Sequence, residues 1–300
     1  MLLKSLLTLV VASSVVPAFG SAILGSAGNF VVLGGSIVTN TGSTTLTGDL
    51  GVYPGTSITD LSGITVNGAP ATSNTAVHIT DATAQQAQSD LVTAFSSLSI
   101  MGPVTDLGTD YATGNETLLP GVYSTPASTF DVNGALTLNF RGQSNASFVF
   151  LVGSSLTAEV GSQVILENVG ANDSVYWVMP AGAATILAGA AFEGNILANA
   201  GISFGTGATD LCGRALAQTP GDVTMQSNTL SIGCQNAPVT TTVAGGGSTT
   251  ATGNSLLEGS NGLSESGGTV AGVPEPGSAG LLVLGCLLGA LGLRKFRSVR

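Results

Sequence analysis

Few side chains in this 300-residue chain could do chemistry, and their spacing does not assemble a reactive centre. The single histidine, His78, has no second histidine or closely spaced cysteine pair to complete a metal site. It also lacks a recognisable serine elbow or cysteine partner for nucleophilic catalysis. Parallel β-helix enzymes often cleave polysaccharides with clustered carboxylates. Here the acids are scattered and read as solvated turn residues. The glycines of GNFVVLGG and GGGSTT lack the Lys-Ser/Thr ending and the strand–loop–helix setting of a nucleotide site. No catalytic residue, metal or cofactor is expected.

What stands out instead is threonine. The stretch TNTGSTTLTGDLGV at 39–52 is matched by GTGATDLCGRALA at 205–217. Laid together without a gap, Thr41, Gly42, Thr44, Leu46 and Gly48 fall on Thr206, Gly207, Thr209, Leu211 and Gly213. In a strand, side chains alternate between faces, so part of each run must point outward. Outward rows stacked at the ordinary strand spacing of about 4.8 Å form an uncharged grid of methyls and hydroxyls. Such a grid holds neighbouring water in order. The plainer reading is that threonine is a good exposed strand former.

The elements that position these residues are mostly short strands. NFVVLGGSIV, ALTLNF, SFVFLVG, SQVILENV, VYWVM, GNILA and DVTMQSNTLSI are β-branched or aromatic and bounded by Gly or Asn. AGAAFEGNILA at 188–198 recurs as TGATDLCGRALA at 206–217, and less regular units flank them. A repeat of about 18–26 residues with short strands and Gly turns marks a parallel β-solenoid, whose coils bury one another's inward side chains. The core expected from this pattern contains Leu156, Val164, Ile186, Phe192, Ile196, Leu211, Leu216 and Val223. A Greek-key sandwich is the structural alternative, but it leaves the match between 41–52 and 206–217 unexplained. One stretch differs. Residues 73–98 carry Ala84, Ala87, Leu91, Phe95 and Leu98 at helical spacing, which predicts a helix of about 20 residues lying against a sheet. His78 falls near its start, and Gly102 and Pro103 end it.

The ends read differently from the middle. Residues 1–22 have one Lys, an apolar stretch and small residues around Ala18, Gly20 and Ala22, the pattern of a secretory signal peptide. Residues 235–272 form a Gly/Ser/Thr-rich flexible linker, leaving 23–234 as the folded domain. Residues 273–300 place Pro274, Glu275 and Pro276 before an uncharged apolar segment, Gly277 to Leu293, and a basic end. That layout resembles the PEP-CTERM sorting signals of bacteria. It implies a transmembrane segment, recognition by an exosortase-like enzyme, and membrane contact only through this tail. The chain has 17 acidic and 7 basic residues. Lys4, Arg294, Lys295, Arg297 and Arg300 lie in the terminal segments, which leaves Arg141 and Arg214 for the domain. So few cations cannot neutralise many phosphates, and nucleic acid is excluded as a partner. Cys212 and Cys234 suit an exported protein, either as a disulfide or as two thiols, while Cys286 lies in the tail.

NFVVLGGSIVTNTGSTTLTGDLGVYPG, AQQAQSDLVTAF, LLPGVYS, FVFLVGSSLT, FEGNILA and CGRALAQTPGDVTMQSNTL, in that order, resemble the microbial ice-binding protein family. The resemblance covers about 24–234. It implies a mostly β fold: a discontinuous right-handed parallel β-solenoid with one long α-helix packed alongside, its first coil beside its last-formed ones. It implies that 41–52 and 206–217 become neighbours in one face. It also implies a secreted or cell-surface monomer that adsorbs to ice through a flat Thr/Ser/Ala-rich face and inhibits ice growth and recrystallisation. The family's Thr-Ala/Gly-x-Thr/Asn pattern stands at Thr41-Gly42-Ser43-Thr44 and Thr206-Gly207-Ala208-Thr209, and degrades at Ala188–Ala191 and Thr157–Val160. The resemblance therefore points to Thr41, Ser43, Thr44, Thr206, Ala208, Thr209, Thr224 and Ser227 as ice-binding residues. A surface module or adhesin that binds polysaccharide is the other functional reading of the same solenoid.

Overall fold

The computed structural model describes residues 21–108, 111–126, 128–233, 239–243 and 247–251. The chain winds three sheets, of nine, eight and nine strands, which we number faces I, II and III. Face I runs, in spatial order, Val77–Ile79, Asp49–Val52, Phe30–Gly34, Arg214–Ala217, Asn195–Ala198, Ser174–Met179, Ser147–Val152, Gly121–Thr125 and Val104–Asp106. Face II runs Tyr111–Thr113, Phe130–Val132, Leu156–Ala158, Ala183–Ile186, Gly201–Phe204, Asp222–Gln226, Ile37–Thr41 and Ser57–Thr59. Face III follows the same order of coils, from Glu116–Leu118 to Ile64–Val66, and ends on the short antiparallel strand Ala69–Pro70. Every other pairing within the three faces is parallel, which rules out a Greek-key sandwich.

Inward side chains from all three faces fill the solenoid. Phe130, Phe150, Trp177 and Phe192 stack up its axis, with the Phe150 and Trp177 rings 4.0 Å apart and nearly parallel. The pattern of apolar residues tells the faces apart. Strands of faces II and III alternate buried with part-exposed positions, as in Ala183–Ile186. The central face I strands are buried almost throughout, as in Phe30–Gly34 and Asn195–Ala198, because their outer side is also covered.

The cover is a single α-helix, α1, Ala82–Ser99. Its stripe of Ala87, Leu91, Ala94, Phe95 and Leu98 meets the outward side chains Leu33, Val149, Tyr176, Val178, Leu197 and Leu216 of face I. Burying each large member of that stripe is worth about 1.5–3 kcal/mol. Asp81 starts the helix by accepting a hydrogen bond from the Ala84 N–H at 2.8 Å. The helix therefore begins later than its sequence pattern suggests. His78 belongs to the strand Val77–Ile79, where Gly51 pairs with it, rather than to the helix. Two expected core residues also move. Leu216 packs outside the solenoid against the helix, and Leu211 is only half-buried at a corner.

The winding is discontinuous in sequence. The coil begun by Asp222–Gln226 and Thr229–Ser231 receives its face I strand from the other end of the chain: Phe30–Gly34 pairs with Arg214–Ala217 on one side and Asp49–Val52 on the other. Gln88 of α1 donates from Nε2 to the carbonyls of Gly34 (3.2 Å) and Ala217 (3.0 Å), on both sides of this seam. Arg214 ties the other end, from Nε to the Gly28 carbonyl (2.8 Å) and from Nη1 to Asn195 Oδ1 (2.7 Å). The similar stretches 41–52 and 206–217 are consequently close but not adjacent. On faces II and III the coil at 222–231 lies between them.

Val239–Val243 and Gly247–Ala251 form a two-stranded antiparallel hairpin within the stretch read as linker. Residues 1–20, the Pro274-Glu275-Pro276 motif and the apolar tail lie outside the described residues, as does Cys234, while Ser21 and Ala22, expected to end the signal peptide, begin the 3-10 helical segment Ser21–Asn29. Cys212 is disulfide-bonded. Among the described residues no helix is long and apolar enough to cross a membrane.

Candidate functional site

With face I covered, faces II and III remain open, and parallel in-register pairing turns their outward side chains into rows. On face II one row reads Asp131, Thr157, Thr185, Ser203, Thr224, Thr39 and Thr59, each residue directly opposite the next. From Thr157 to Thr59 every member carries a hydroxyl and none a charge, with the Thr59 Oγ1 itself enclosed and without a hydrogen-bond partner. At about 4.8 Å per coil that run extends roughly 24 Å. Asp222 and Ile37 stand in the flanking column on one side, and Thr41 and Gln226 on the other.

A second, shorter row stands on face III, where Thr209, Thr229, Thr45 and Thr65 follow Gln163 and Ala191. The two faces meet at a corner that most coils turn with a left-handed residue, including Gly207 (φ 69°), Ser227 (φ 53°) and Gly42 (φ 78°). A Cβ on Gly42 would lie 2.4 Å from Ser227 Oγ, so a larger residue there must displace that hydroxyl as well as adopt a positive φ.

The corner decides where the expected residues point. Thr224 lies in the face II row, and Thr41, Ser43, Thr206 and Ser227 lie exposed along the corner. Thr206 Oγ1 donates to Gln226 Oε1 across one coil step at 3.1 Å. Thr209 lies on face III. Thr44 and Ala208 correct the sequence expectation, because both point into the core, 1% and 0% exposed. Thr44 donates to Asn40 Oδ1 at 2.7 Å and accepts from the Asn228 N–H at 3.2 Å. The physical reason is that both immediately precede the face III row. Thr45, not Thr44, shares that row with Thr229 and Thr209, and Thr39 to Thr45 spans the same six residues as Ser203 to Thr209, so the structural equivalent of Thr44 is Ala208 and strand alternation turns both inward.

Sequence reasoning missed Thr39, Thr59, Thr157, Thr185 and Ser203. Their signal is a triplet in which an outward residue sits between two inward ones: Leu156-Thr157-Ala158, Ala184-Thr185-Ile186, Ile202-Ser203-Phe204 and Val223-Thr224-Met225. The triplets occur at irregular intervals, and a fixed period conceals them.

Elsewhere the polar groups are structural. His78 Nδ1 lies 2.8 Å from Asp81 Oδ2, and its Nε2 lies 3.8 Å from Asp49 Oδ2. Burial pushes the Asp49 carboxyl above its ordinary range, and the nearby imidazole partly offsets that. No group of three or more His, Cys, Asp or Glu among the described residues could hold a metal ion.

Known proteins share this architecture. The family model described as Ice-binding-like matches residues 32–231. An ice-binding protein of Nostoc sp. (strain HG1) is 43% identical over 217 residues, covering 72% of this chain and 76% of the relative. The crystal structure of an ice-binding protein from an Antarctic biological consortium superposes with a TM-score of 0.61 at 35% identity, over 77% of this chain and 95% of that one. The ice-binding protein of the Antarctic ascomycete Antarctomyces psychrotrophicus gives a TM-score of 0.61 at 34% identity, over 71% and 98%. By sequence and by fold, this chain belongs to the Ice-binding-like family.

Proposed function

We propose that the chain binds ice through face II and thereby inhibits ice growth and recrystallisation. The observation that carries this reading is the in-register run Thr157, Thr185, Ser203, Thr224, Thr39 and Thr59. Its hydroxyls repeat at the coil spacing, and side chains two residues apart along a strand add a second repeat of about 6.6 Å. Rigid strands hold the methyls and hydroxyls in place, so water above the face is ordered before contact and little entropy remains to be lost. The row itself carries no Lys, Glu or Asp from Thr157 to Thr59, with Asp222 only at its flank, and so avoids stripping water from a charge, a costly step. Thr41, Ser43, Thr206 and Ser227 form the corner margin of this surface, with Thr209 beyond it. Thr44 and Ala208 contribute by holding the corner's shape.

An adsorbed molecule of this kind pins the growing front. Ice then advances only as curved surfaces between pins, which lowers the temperature at which it grows. Ice-affinity partitioning of the purified protein tests the reading directly. An ice binder concentrates in the frozen fraction, whereas a polysaccharide-binding adhesin stays in the liquid. Recovery only in the liquid would overturn the proposal.

We further propose that residues 1–22 export the chain and that 273–300 anchor it transiently until an exosortase-like enzyme releases it. The support is the apolar N-terminal stretch and, at the other end, the order of Pro-Glu-Pro, apolar and basic segments in the sequence. The released protein acts outside the cell as a monomer, with a Cys212–Cys234 disulfide closing its C-terminal coil. Intact mass of the mature protein, before and after reduction, reads out both processing sites and the disulfide.

A further inference from the structure

Asp210 occupies an inward position that neighbouring coils fill with apolar side chains: Phe192 on one side and Leu230 on the other, with Leu46 next in line. Its side chain is enclosed, and Oδ2 has no hydrogen-bond partner. The same is true of Glu193 Oε2, which is also buried. Both carboxyl groups accept from the backbone N–H of Cys212, which places them at one point inside the corner between faces III and I. The corner is shaped around them. Gly194 donates its N–H to Asp210 Oδ1 at 3.3 Å. A Cβ on Gly213 would lie 2.5 Å from both Asp210 oxygens, so glycine leaves the room they occupy.

Two carboxylates at one corner, each with an enclosed oxygen that lacks a hydrogen-bond partner, repel and lack solvation, whereas one proton shared between them removes both costs. We propose that Glu193 and Asp210 share a single proton, and that this carboxylic acid–carboxylate hydrogen bond keeps the corner beside the N-terminal seam closed. When the proton leaves for solvent, the bond becomes two facing carboxylates and the corner opens. Arg214, whose guanidinium ties Gly28 and Asn195 beside the pair, balances the one remaining negative charge. Tyr176 is the other titratable group facing Arg214, and burial pushes its hydroxyl up, so it stays neutral. Cys212 is disulfide-bonded and does not titrate.

Burial drives the acids in the direction this sharing requires. It pushes Glu193 up to about 8, against a smaller opposing effect of the Cys212 N–H. Burial, together with the charge of Glu193, raises Asp210 well above the carboxylate range. A folded pKa above the unfolded one means the native state binds the extra proton. Its contribution is full below the unfolded pKa of about 4 and is lost as pH rises through about 8.

Thermal unfolding of the protein and of Glu193→Gln between pH 5 and 9 tests the proposal. The amide introduced by Glu193→Gln imitates the protonated acid at every pH. The wild type is expected to lose about 5 °C or more of Tm across this range, with the variant nearly flat and more stable than wild type at pH 9. Equal slopes for the two proteins would overturn the proposal. Carbon-13 NMR titration of the wild-type carboxyl groups is an independent measurement that holds even if the variant fails to fold. One buried carboxyl still protonated at pH 6 supports the shared proton, and full ionisation of every carboxyl at that pH refutes it.

Discussion

Thr224 lies directly opposite Thr39 on face II, although one belongs to the last coil in sequence and the other to the first. The proposed ice surface is continuous only because the two ends of the solenoid sequence meet at this pair. Bulky replacements near the middle of the row should therefore break contact on both sides of the seam. Thr185→Tyr with Thr224→Tyr is expected to reduce thermal hysteresis at least several-fold, with Tm within a few degrees of wild type. The matched control, Thr45→Tyr with Thr229→Tyr on face III, should retain most of the activity. Equal losses from the two pairs would show that face II is not the dominant surface.

Thr44 should behave as a structural residue. Thr44→Val keeps the side-chain shape but leaves Asn40 Oδ1 and the Asn228 N–H without their partner. A loss of about 1–3 kcal/mol is expected in denaturant unfolding. Thermal hysteresis measured well below Tm should stay near wild type.

Two of the glycines that turn the corner differ in their surroundings. Gly207→Ala meets open space and suffers only its positive φ, about 1–2 kcal/mol. Gly42→Ala adds a collision with Ser227 Oγ and should cost more. Paired chemical denaturation curves check the order, and removing the hydroxyl with Ser227→Ala should narrow the gap.

Gln88 is the one side chain that bonds carbonyls on both sides of the N-terminal seam among the described residues. Gln88→Leu fits an apolar interface but leaves those carbonyls short of donors. About 1–3 kcal/mol should be lost. Faster amide hydrogen exchange is expected in 30–34 and 214–217, with 147–152 unaffected.

Much of this architecture is legible in the residues because it rests on periodicity. Ala84, Ala87, Leu91, Phe95 and Leu98 mark the helix face, and all five are buried. The coils announce themselves through recurring short strands and Gly turns. The orientation of individual threonines was not legible. The gapless match pairs Thr44 with Thr209, whereas the strand register pairs Thr45 with Thr209, and the two-residue alternation of a strand converts that one-residue offset into a reversal of side. Thr44 and Thr209 align without a gap in sequence, yet point in opposite directions. The face II row was concealed for a related reason. It is assembled by pairing between coils of unequal length, so no fixed spacing links Thr157, Thr185, Ser203 and Thr224. Buried charge was equally silent, since nothing in GTGATDLCG separates the enclosed Asp210 from an ordinary turn aspartate.

The borrowed strand Phe30–Gly34 also sets a timetable. During synthesis it acquires Asp49–Val52 almost at once but must wait for Arg214–Ala217 on its other edge. At about 5–20 residues per second, that wait lasts on the order of 10–40 s. Throughout it, the nascent chain carries an apolar strand with an open parallel edge, the kind of template on which foreign strands assemble. Safe maturation of this protein thus depends on how quickly its late-made coils arrive, or on a holdase that shields residues 30–34 until they do.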